Sequence, residues 1–483
     1  MNNATCSDRG FSLFDVRQLA RSAMCAVCAM AVLSGFTAAL PTLAAAAPPN
    51  VVILFVDDLG WSDVGYQGPY HATPHIDALA ASGMVFSRAY AAAPTCSPSR
   101  SGMLTGRHPA DLGVVRHLPV TNPDNREFTV ASDDPAGMPS RNWLPEDAIT
   151  YGHALRQLGY YTAFHGKWHL GDGKHFPVNF GFQEQVGTTN RGSPSNYLAP
   201  FWREDVYADA KPGTYLTDRQ TDDAVAFIKS NAHRRFLLSL FYYAVHTPKI
   251  GRPDYVAAAK ARGLEGVMAE YDAMMRSLDD SVARIVAALA AAGLRENTVI
   301  IFAGDQGSWF ERPPLRGSKT QQTALFEGGA RVPFIISWPA KVRRGSVCEQ
   351  PVSLTDVFPT LVEIAGGQES DHRGLDGRSL MPVLLERGAS AHQRLVLYRS
   401  YDNQYAAVVE GPWKLIAHRD GHYELYHVLN DVGERTDRAA AEPELKRRLA
   451  GHLTAWEDSL GIRIAPNTKF PPDFMAGRKP LAR

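Results

Sequence analysis

Five short runs are dense in β-branched and large apolar residues: Val51–Val56 (VVILFV), Tyr160–Phe164 (YYTAF), Phe236–Tyr243 (FLLSLFYY), Thr298–Ala303 (TVIIFA) and Val332–Trp338 (VPFIISW). Stretches of helical periodicity separate them. Between the third and fourth, Tyr271, Met274, Met275, Leu278, Val282, Ile285, Val286 and Leu289 recur at three- and four-residue steps and stop at Gly293, a helix C-terminus. Thr73-Pro74 reads as the cap and first turn of a shorter helix ending near Gly83. Buried strands alternating with helices predict βαβ units and a mainly parallel sheet. In such a sheet, ligands bind in the crevice beyond the carboxyl ends of the strands. The residues at those ends are therefore informative. Val56 leads into Asp57-Asp58, Phe164 into His165-Gly166-Lys167-Trp168-His169, Tyr243 into Ala244-Val245-His246-Thr247-Pro248, and Ala303 into Gly304-Asp305-Gln306-Gly307.

The chain has 483 residues, 45% hydrophobic and 21% charged, enough apolar material for one large core and a smaller second one. Lys+Arg and Asp+Glu are both 50, without a long basic run, which sets nucleic acid aside as a partner. Arg9, Arg17 and Arg21 precede an apolar run from Ala23 to Leu40 and the small residues Ala44–Ala47. This pattern predicts a secretory signal peptide over 1–46, export to the periplasm or the exterior, and no stable membrane insertion after cleavage; a membrane anchor is the alternative reading. Cleavage leaves Cys96 and Cys348 of the five cysteines, so a disulfide framework is excluded, while one bridge between these two stays open.

Two polar, turn-rich segments, Thr121–Arg141 and Gly187–Gly213, read as surface loops and candidate pocket walls. Beyond Gly374 the pattern changes to Leu395–Tyr398, Ala406–Val409, Trp413–Ala417 and Tyr423–Tyr426, with turn signals at Glu410-Gly411 and Asp420-Gly421. A small antiparallel meander followed by a helix over Pro443–Leu460 is expected. The organisation predicted is a signal peptide (1–46), a catalytic domain (47–375) and a smaller C-terminal domain (376–483).

Two motifs carry the functional reading. Thr95–Gly106 is "TCSPSRSGMLTG" and Gly159–Gly171 is "GYYTAFHGKWHLG"; the Asp57-Asp58 pair lies before both and Asp305-Gln306-Gly307 after them. In this order they resemble the formylglycine-dependent, arylsulfatase-like sulfatases of the alkaline-phosphatase-like superfamily, and the resemblance covers nearly all of the chain after the leader. It implies an α/β fold with a large, mainly parallel sheet flanked by helices and a small C-terminal antiparallel sheet plus helix. It also implies that a maturation system guided by Pro98 and Arg100 oxidises Cys96 to a formylglycine aldehyde. In the hydrated aldehyde one hydroxyl attacks sulfur, and loss of the other's proton expels sulfate, which is nucleophilic catalysis with its own exit.

Asp57, Asp58, Asp305 and Gln306 offer only oxygen donors, which favours a hard divalent cation such as Ca2+ over zinc. By resemblance these four are the metal ligands; many relatives carry Asn at the position of Gln306, and the added methylene keeps the amide oxygen but shifts it. Arg100, Lys167 and Lys319 resemble the family's basic residues around formylglycine and sulfate. His169 resembles the residue that takes the formylglycine proton, and His246 the leaving-group donor, a role Lys319 can share. With 16 histidines present, motif context alone selects these two. Trp168 is expected to pack, and Arg316 and His165 are left without a role.

The function expected is an exported sulfuric ester hydrolase acting on a sulfated small molecule or saccharide. Two alternatives stand beside it: a phosphonate or phosphate ester hydrolase on the same scaffold, and a non-catalytic protein that binds sulfated glycans.

Overall fold

The computed structural model describes residues 48–120, 122, 125–202, 206–320, 322–368, 374–388, 392–471 and 473–475. The expected signal peptide lies outside the described residues. Strands β1 (Asn50–Val56), β2 (Met84–Phe86), β3 (Tyr161–Lys167), β4 (Glu184–Thr189), β5 (Phe236–Phe241), β6 (Thr298–Gly304), β7 (Phe334–Ser337) and β8 (Ser346–Cys348) form one sheet in the order β8-β2-β7-β6-β1-β5-β3-β4. Only β7 runs against the rest.

The near-continuous apolar runs have a plain cause: both faces of the central strands are covered. Val51, Ile53 and Phe55 point into one core with Leu237, Phe241, Val299 and Ile301. Val52, Leu54 and Val56 point into the other with Leu238, Leu240, Ile300 and Phe302. Burying each such side chain contributes roughly 1.5–3 kcal/mol. The first core is closed by helices α2 (Cys96–Thr105), α3 (Tyr151–Gln157) and α6 (Val357–Ile364), the second by α1 (Pro74–Ala81), α4 (Leu216–Ser230) and α5 (Gly266–Ala291). The periodic residues Tyr271, Met274, Met275, Leu278, Val282, Ile285 and Leu289 all lie in this second core, as their spacing predicts.

The run Val332–Trp338 divides at Pro333, which has no N–H for a ladder. Arg331–Val332 pairs with Ala89–Tyr90 in a separate three-stranded sheet, and β7 begins after the proline. The C-terminal meander is β9 (Leu395–Tyr398), β10 (Gln404–Glu410), β11 (Trp413–His418) and β12 (Tyr423–His427), packed under α7 (Pro443–Leu460). One face of this small sheet shares its core with Ala110, Val115 and Met138, the other with Tyr90, Leu325 and Phe326. Lys414 is fully buried on the second face between Glu327 (2.9 Å) and Glu434 (3.0 Å). The described residues form one compact unit. Among the described residues no helix is long and apolar enough to cross a membrane.

Candidate active site

Four adjacent strands, β6, β1, β5 and β3, bring their carboxyl ends together, so the clusters that follow them converge. The ladder continues past the strands: Asp57 N donates to Ala244 O (2.9 Å), Val245 N to Asp57 O (2.7 Å) and Asp305 N to Val56 O (2.9 Å). These bonds fix the turns that carry Asp57, His246 and Asp305. Helix α2 meets the cluster with its N-terminus, where Cys96 is the first residue. Unpaired N–H groups and the helix dipole favour negative charge at such an end.

The strand β3 carries a bulge between His165 and Lys167, at Gly166 with φ 96°. A Cβ at Gly166 would lie 2.0 Å from the carbonyl of Phe241, so only glycine fits. The bulge separates two neighbours in sequence. Lys167 is ion-paired with Asp57, whereas His165 faces Glu184 at 3.3 Å.

Three buried cations meet three buried carboxylates. Arg100 donates to Asp305 Oδ2 through Nε (3.1 Å) and Nη2 (2.8 Å) and to the Lys167 carbonyl through Nη1 (2.8 Å). Its guanidinium lies 5.5 Å from the ring centroids of Phe55 and Phe241. Lys167 pairs with Asp57, and Lys319 with Asp58 at 2.5 Å. Asp57, Asp58, Asp305, Arg100 and Lys167 are 0% exposed, Cys96 and Gln306 1%. Cys96 Sγ lies 3.6 Å from Asp57 Oδ1 and 2.8 Å from Gln306 Nε2, which also donates to Asp58 Oδ1 at 2.7 Å. It is the amide nitrogen of Gln306 that faces this cluster; a half-turn of the amide presents the oxygen instead.

The electrostatics follow from burial among these charges. Burial pushes the Cys96 thiol up to about 12, against the pull of Lys167, and the carboxyl of Asp305 up to about 7, with the charge of Asp57 adding to the effect. Burial also works to raise Asp58, but Lys319, His246, Lys249 and Lys167 outweigh it and hold that carboxyl far below its usual range. Lys319 is raised despite its burial, because Asp58 holds the proton on it. Burial draws His246 down to about 3 and His169 well below its ordinary value, so both imidazoles are neutral at pH 7.

His246 bonds the Thr247 carbonyl through Nδ1 (2.8 Å) and turns Nε2 toward Asp58 Oδ2 at 3.6 Å. His169 Nε2 donates to the Leu118 carbonyl at 3.3 Å, while its buried Nδ1 has no partner. The oxygen cluster suits a hard cation on one direct observation. Asp58 Oδ2 is buried without a hydrogen bond, in a pocket where atoms of Asp57, Cys96 and Asp305, and of Asp58, Cys96 and His246, lie within 4.8 Å of one another.

The ten residues expected at the site, Asp57, Asp58, Cys96, Arg100, Lys167, His169, His246, Asp305, Gln306 and Lys319, are thus brought together. Trp168 packs on Phe164 and donates to the His175 carbonyl at 2.7 Å. Arg316 turns away and bonds Tyr426 and the Glu434 carbonyl. Cys96 and Cys348 are both free thiols, which removes the disulfide alternative.

The segment 187–213 is not simply a surface loop. Tyr197, Phe201 and Trp202 are buried in the second core, and Tyr197 Oη donates to the carbonyls of Tyr243 (2.5 Å) and His246 (3.1 Å). Three aromatic side chains among polar neighbours were the signal. In the other segment, Phe128–Thr129 pairs with Ser140–Arg141 as a short hairpin, and 121 and 123–124 lie outside the described residues.

Sequence reasoning missed Lys249, three residues after His246. Burial lowers it to about 8, and its ammonium lies 4.6 Å from the Tyr271 ring centroid. It also missed Arg399 and Tyr401 of the C-terminal region: Arg399 donates to the Pro94 carbonyl (2.5 Å) and Thr95 Oγ1 (2.9 Å), and Tyr401 bonds Thr95 Oγ1 (2.8 Å). Nothing in their local sequence points to the cap of a helix some 300 residues earlier.

The Sulfatase family model matches residues 49–367, and that of the N-sulphoglucosamine sulphohydrolase C-terminal region matches 321–455. The N-acetylgalactosamine-6-sulfatase of Mus musculus is 33% identical over 404 residues, 78% of this chain and 74% of its own. The steryl-sulfatase of Mus musculus is 30% identical over 449 residues, 75% of this chain and 69% of its own. Among solved structures, Ps i-CgsB in complex with k-i-k-neocarrahexaose superposes with a TM-score of 0.73 at 27% identity, covering 85% of this chain and 92% of that one.

Proposed function

The chain belongs to the sulfatase family and is a sulfuric ester hydrolase, and from that premise we propose that it is exported and cleaves sulfate monoesters of a carbohydrate at Cys96, matured to formylglycine, beside a divalent cation. The observation that carries this reading is the buried set of Cys96, three cations and three carboxylates at the ends of four parallel strands. A thiol at about 12 is protonated at neutral pH and a poor nucleophile, which supports conversion of Cys96. The hydrated aldehyde supplies a nucleophilic hydroxyl and a second one whose deprotonation releases sulfate. Asp57, Asp58, Asp305 and Gln306 would hold the cation, most consistently Ca2+, which would offset the charge of the sulfate.

The protein's own groups divide the remaining work. Arg100 and Lys167 hold positive charge beside Cys96, in a site where charges act strongly because water is excluded. His169, neutral and with an unpartnered Nδ1, is suited to accept the proton whose loss releases sulfate. At the leaving oxygen, Lys319 is the group that keeps its proton at neutral pH, with His246 beside the same Asp58 carboxylate. Maturation requires a system that reads the Cys96–Arg100 segment.

The N-acetylgalactosamine-6-sulfatase relative and the neocarrahexaose complex support a sulfated saccharide as substrate. The division into a catalytic domain over 47–375 and a C-terminal domain over 376–483 belongs to the same proposal. Two measurements test it together. Protein from a maturation-competent host should yield a Cys96 peptide with the mass and carbonyl reactivity of formylglycine, and should release sulfate from defined sulfated saccharides faster than phosphate or phosphonate from matched esters. Full turnover with Cys96 as an unmodified thiol would overturn the mechanism, and faster phosphonate cleavage would overturn the substrate class.

A further inference from the structure

The segment that follows Asp305-Gln306 runs beside Lys319 and is anchored at every second residue. Ser308 O accepts from Lys319 N at 2.8 Å. Phe310 packs edge-on against Tyr271, centroids 5.2 Å apart, and Arg312 pairs with Asp63 at 3.0 Å. The residue between the first two anchors points the other way. Trp309 is 40% exposed, the only Trp, Tyr or Phe among the described residues to stand so far into solvent. Its place is specific: the ring centroid lies 5.0 Å from Lys319 Nζ, the ammonium assigned to the leaving oxygen. An exposed large aromatic ring bordering a reaction site, and not scattered over the surface, marks a contact for a ligand.

A second ring borders the site from another loop. Leu118 N donates to Ser97 Oγ at 3.1 Å, and its carbonyl accepts from His169 Nε2 at 3.3 Å. These bonds tie the preceding residue, His117, to the helix of Cys96 and to His169. The His117 and His169 rings lie 6.2 Å apart with planes at 29°. His117 is exposed, yet desolvation by the protein around it, followed by the charges of Lys319, Arg399 and Lys167, holds its imidazole well below its ordinary value. A ring that water reaches and protein surrounds lines a cavity, and those charges identify the cavity as the one beside Cys96.

We propose that Trp309 and His117 form the sugar subsite: Trp309 stacks against the apolar face of the sugar ring whose oxygen leaves, and His117 hydrogen-bonds that sugar's hydroxyls. The inference rests on the reading of the substrate as a sulfated saccharide and adds which residues recognise the sugar. Lys319 lies over the indole, so the face it borders is the one turned to the leaving oxygen. A pyranose joined to that oxygen begins one bond away, within contact range of the indole. One face of a pyranose carries C–H bonds with partial positive charge, which the negative face of an aromatic ring attracts. Its hydroxyls need donors and acceptors, and a neutral imidazole offers one of each. The anchors at Ser308, Phe310 and Arg312 hold the indole in place before substrate arrives, which limits the ordering lost on binding. Such contacts involve the sugar and not the reacting sulfur. They are made alike in ground state and transition state, and so lower KM with little effect on kcat.

The test uses the matured, calcium-loaded enzyme and whichever ester of a panel of hexose and N-acetylhexosamine monosulfates the wild type turns over fastest. Trp309→Ala is expected to raise KM at least about 10-fold with kcat within about 3-fold of the wild type, and Trp309→Tyr to keep most of the affinity. His117→Ala should raise KM about 5-fold or more. Competitive inhibition by inorganic sulfate, which fills the anion site alone, should keep the wild-type Ki in all three variants. An unchanged KM in Trp309→Ala would overturn the stacking platform, and so would a sulfate Ki that rises in step with KM, because the whole site would then have moved. A loss confined to kcat in His117→Ala would make that ring a support for His169 and remove it from the subsite. A wild type that cleaves aryl sulfates but no sugar ester would overturn the saccharide reading itself, and this inference with it.

Discussion

At Asp58 and His169 the backbone holds non-glycine residues at φ 60° and 56°, a region that costs roughly 1–3 kcal/mol each. Both follow strand ends: the turn at Asp58 brings its carboxylate to Gln306 and Lys319, and the one at His169 sets the imidazole within the influence of the Lys167 and Arg100 charges. That strain is tolerated because the neighbouring strands fix the turn. The charges there predict how single substitutions act. Asp57→Ala leaves Lys167 without its partner and removes one oxygen donor. Turnover should fall by at least about 100-fold, with the fold retained at a stability cost of about 3–5 kcal/mol, as steady-state kinetics, circular dichroism and denaturant unfolding would record, and thorough chelation should mimic the loss of turnover. Turnover unaffected by stripping the metal would refute the cation's role. Lys319, the protonated group, should matter most for basic leaving groups. Lys319→Ala is expected to cost sugar sulfates about 100-fold more in kcat/KM than activated aryl sulfates, and His246→Ala less. A flat leaving-group series for Lys319→Ala would remove it from that role.

Among the elements, the segment after β4 and the C-terminal sheet each hold part of the site from behind. Gly192 lies against the His169 ring, where an added Cβ would come within 2.7 Å of Cε1. Gly192→Ala should therefore displace the imidazole and lower kcat by roughly tenfold or more with little change in melting temperature, since positioning errors of this size are costly to rate. Wild-type kcat in that variant would show that the ring position does not matter. The C-terminal sheet is fastened through Lys414 between Glu327 and Glu434, all 0% exposed. Removing one partner of a buried ionic group strands the others, so Lys414→Ala should cost about 3–5 kcal/mol in denaturant unfolding. Combining Lys414→Met with Glu327→Gln and Glu434→Gln should recover most of it, and a loss no smaller in the triple variant would exclude stranded charge as the cause.

For the molecule as a whole, stability depends on pH through groups such as Glu457 of α7, 2% exposed and raised by burial from 4.5 to about 8. Between these values the folded chain holds a proton that the unfolded chain releases. The stabilisation is complete below 4.5 and is lost as pH rises through about 8. Glu457→Gln, which stays neutral, should match the wild type near pH 4.5 and exceed it increasingly toward pH 8, by on the order of a few kcal/mol, in melting curves across that window. Parallel curves would show that Glu457 is not buried as a neutral acid. Much of this architecture was legible in the chain. The runs at Val51–Val56 and Thr298–Ala303 read as strands because both their faces are apolar, and the helix ending near Gly293 read from its period, since these patterns are local. Likewise Cys96, Lys167 and Asp305 were marked by short motifs at strand ends. The fastening of the Thr95 cap by Arg399 and Tyr401 and the approach of Gly192 to His169 were not. Each depends on which surfaces meet when separate elements pack, and no local propensity or period encodes that meeting.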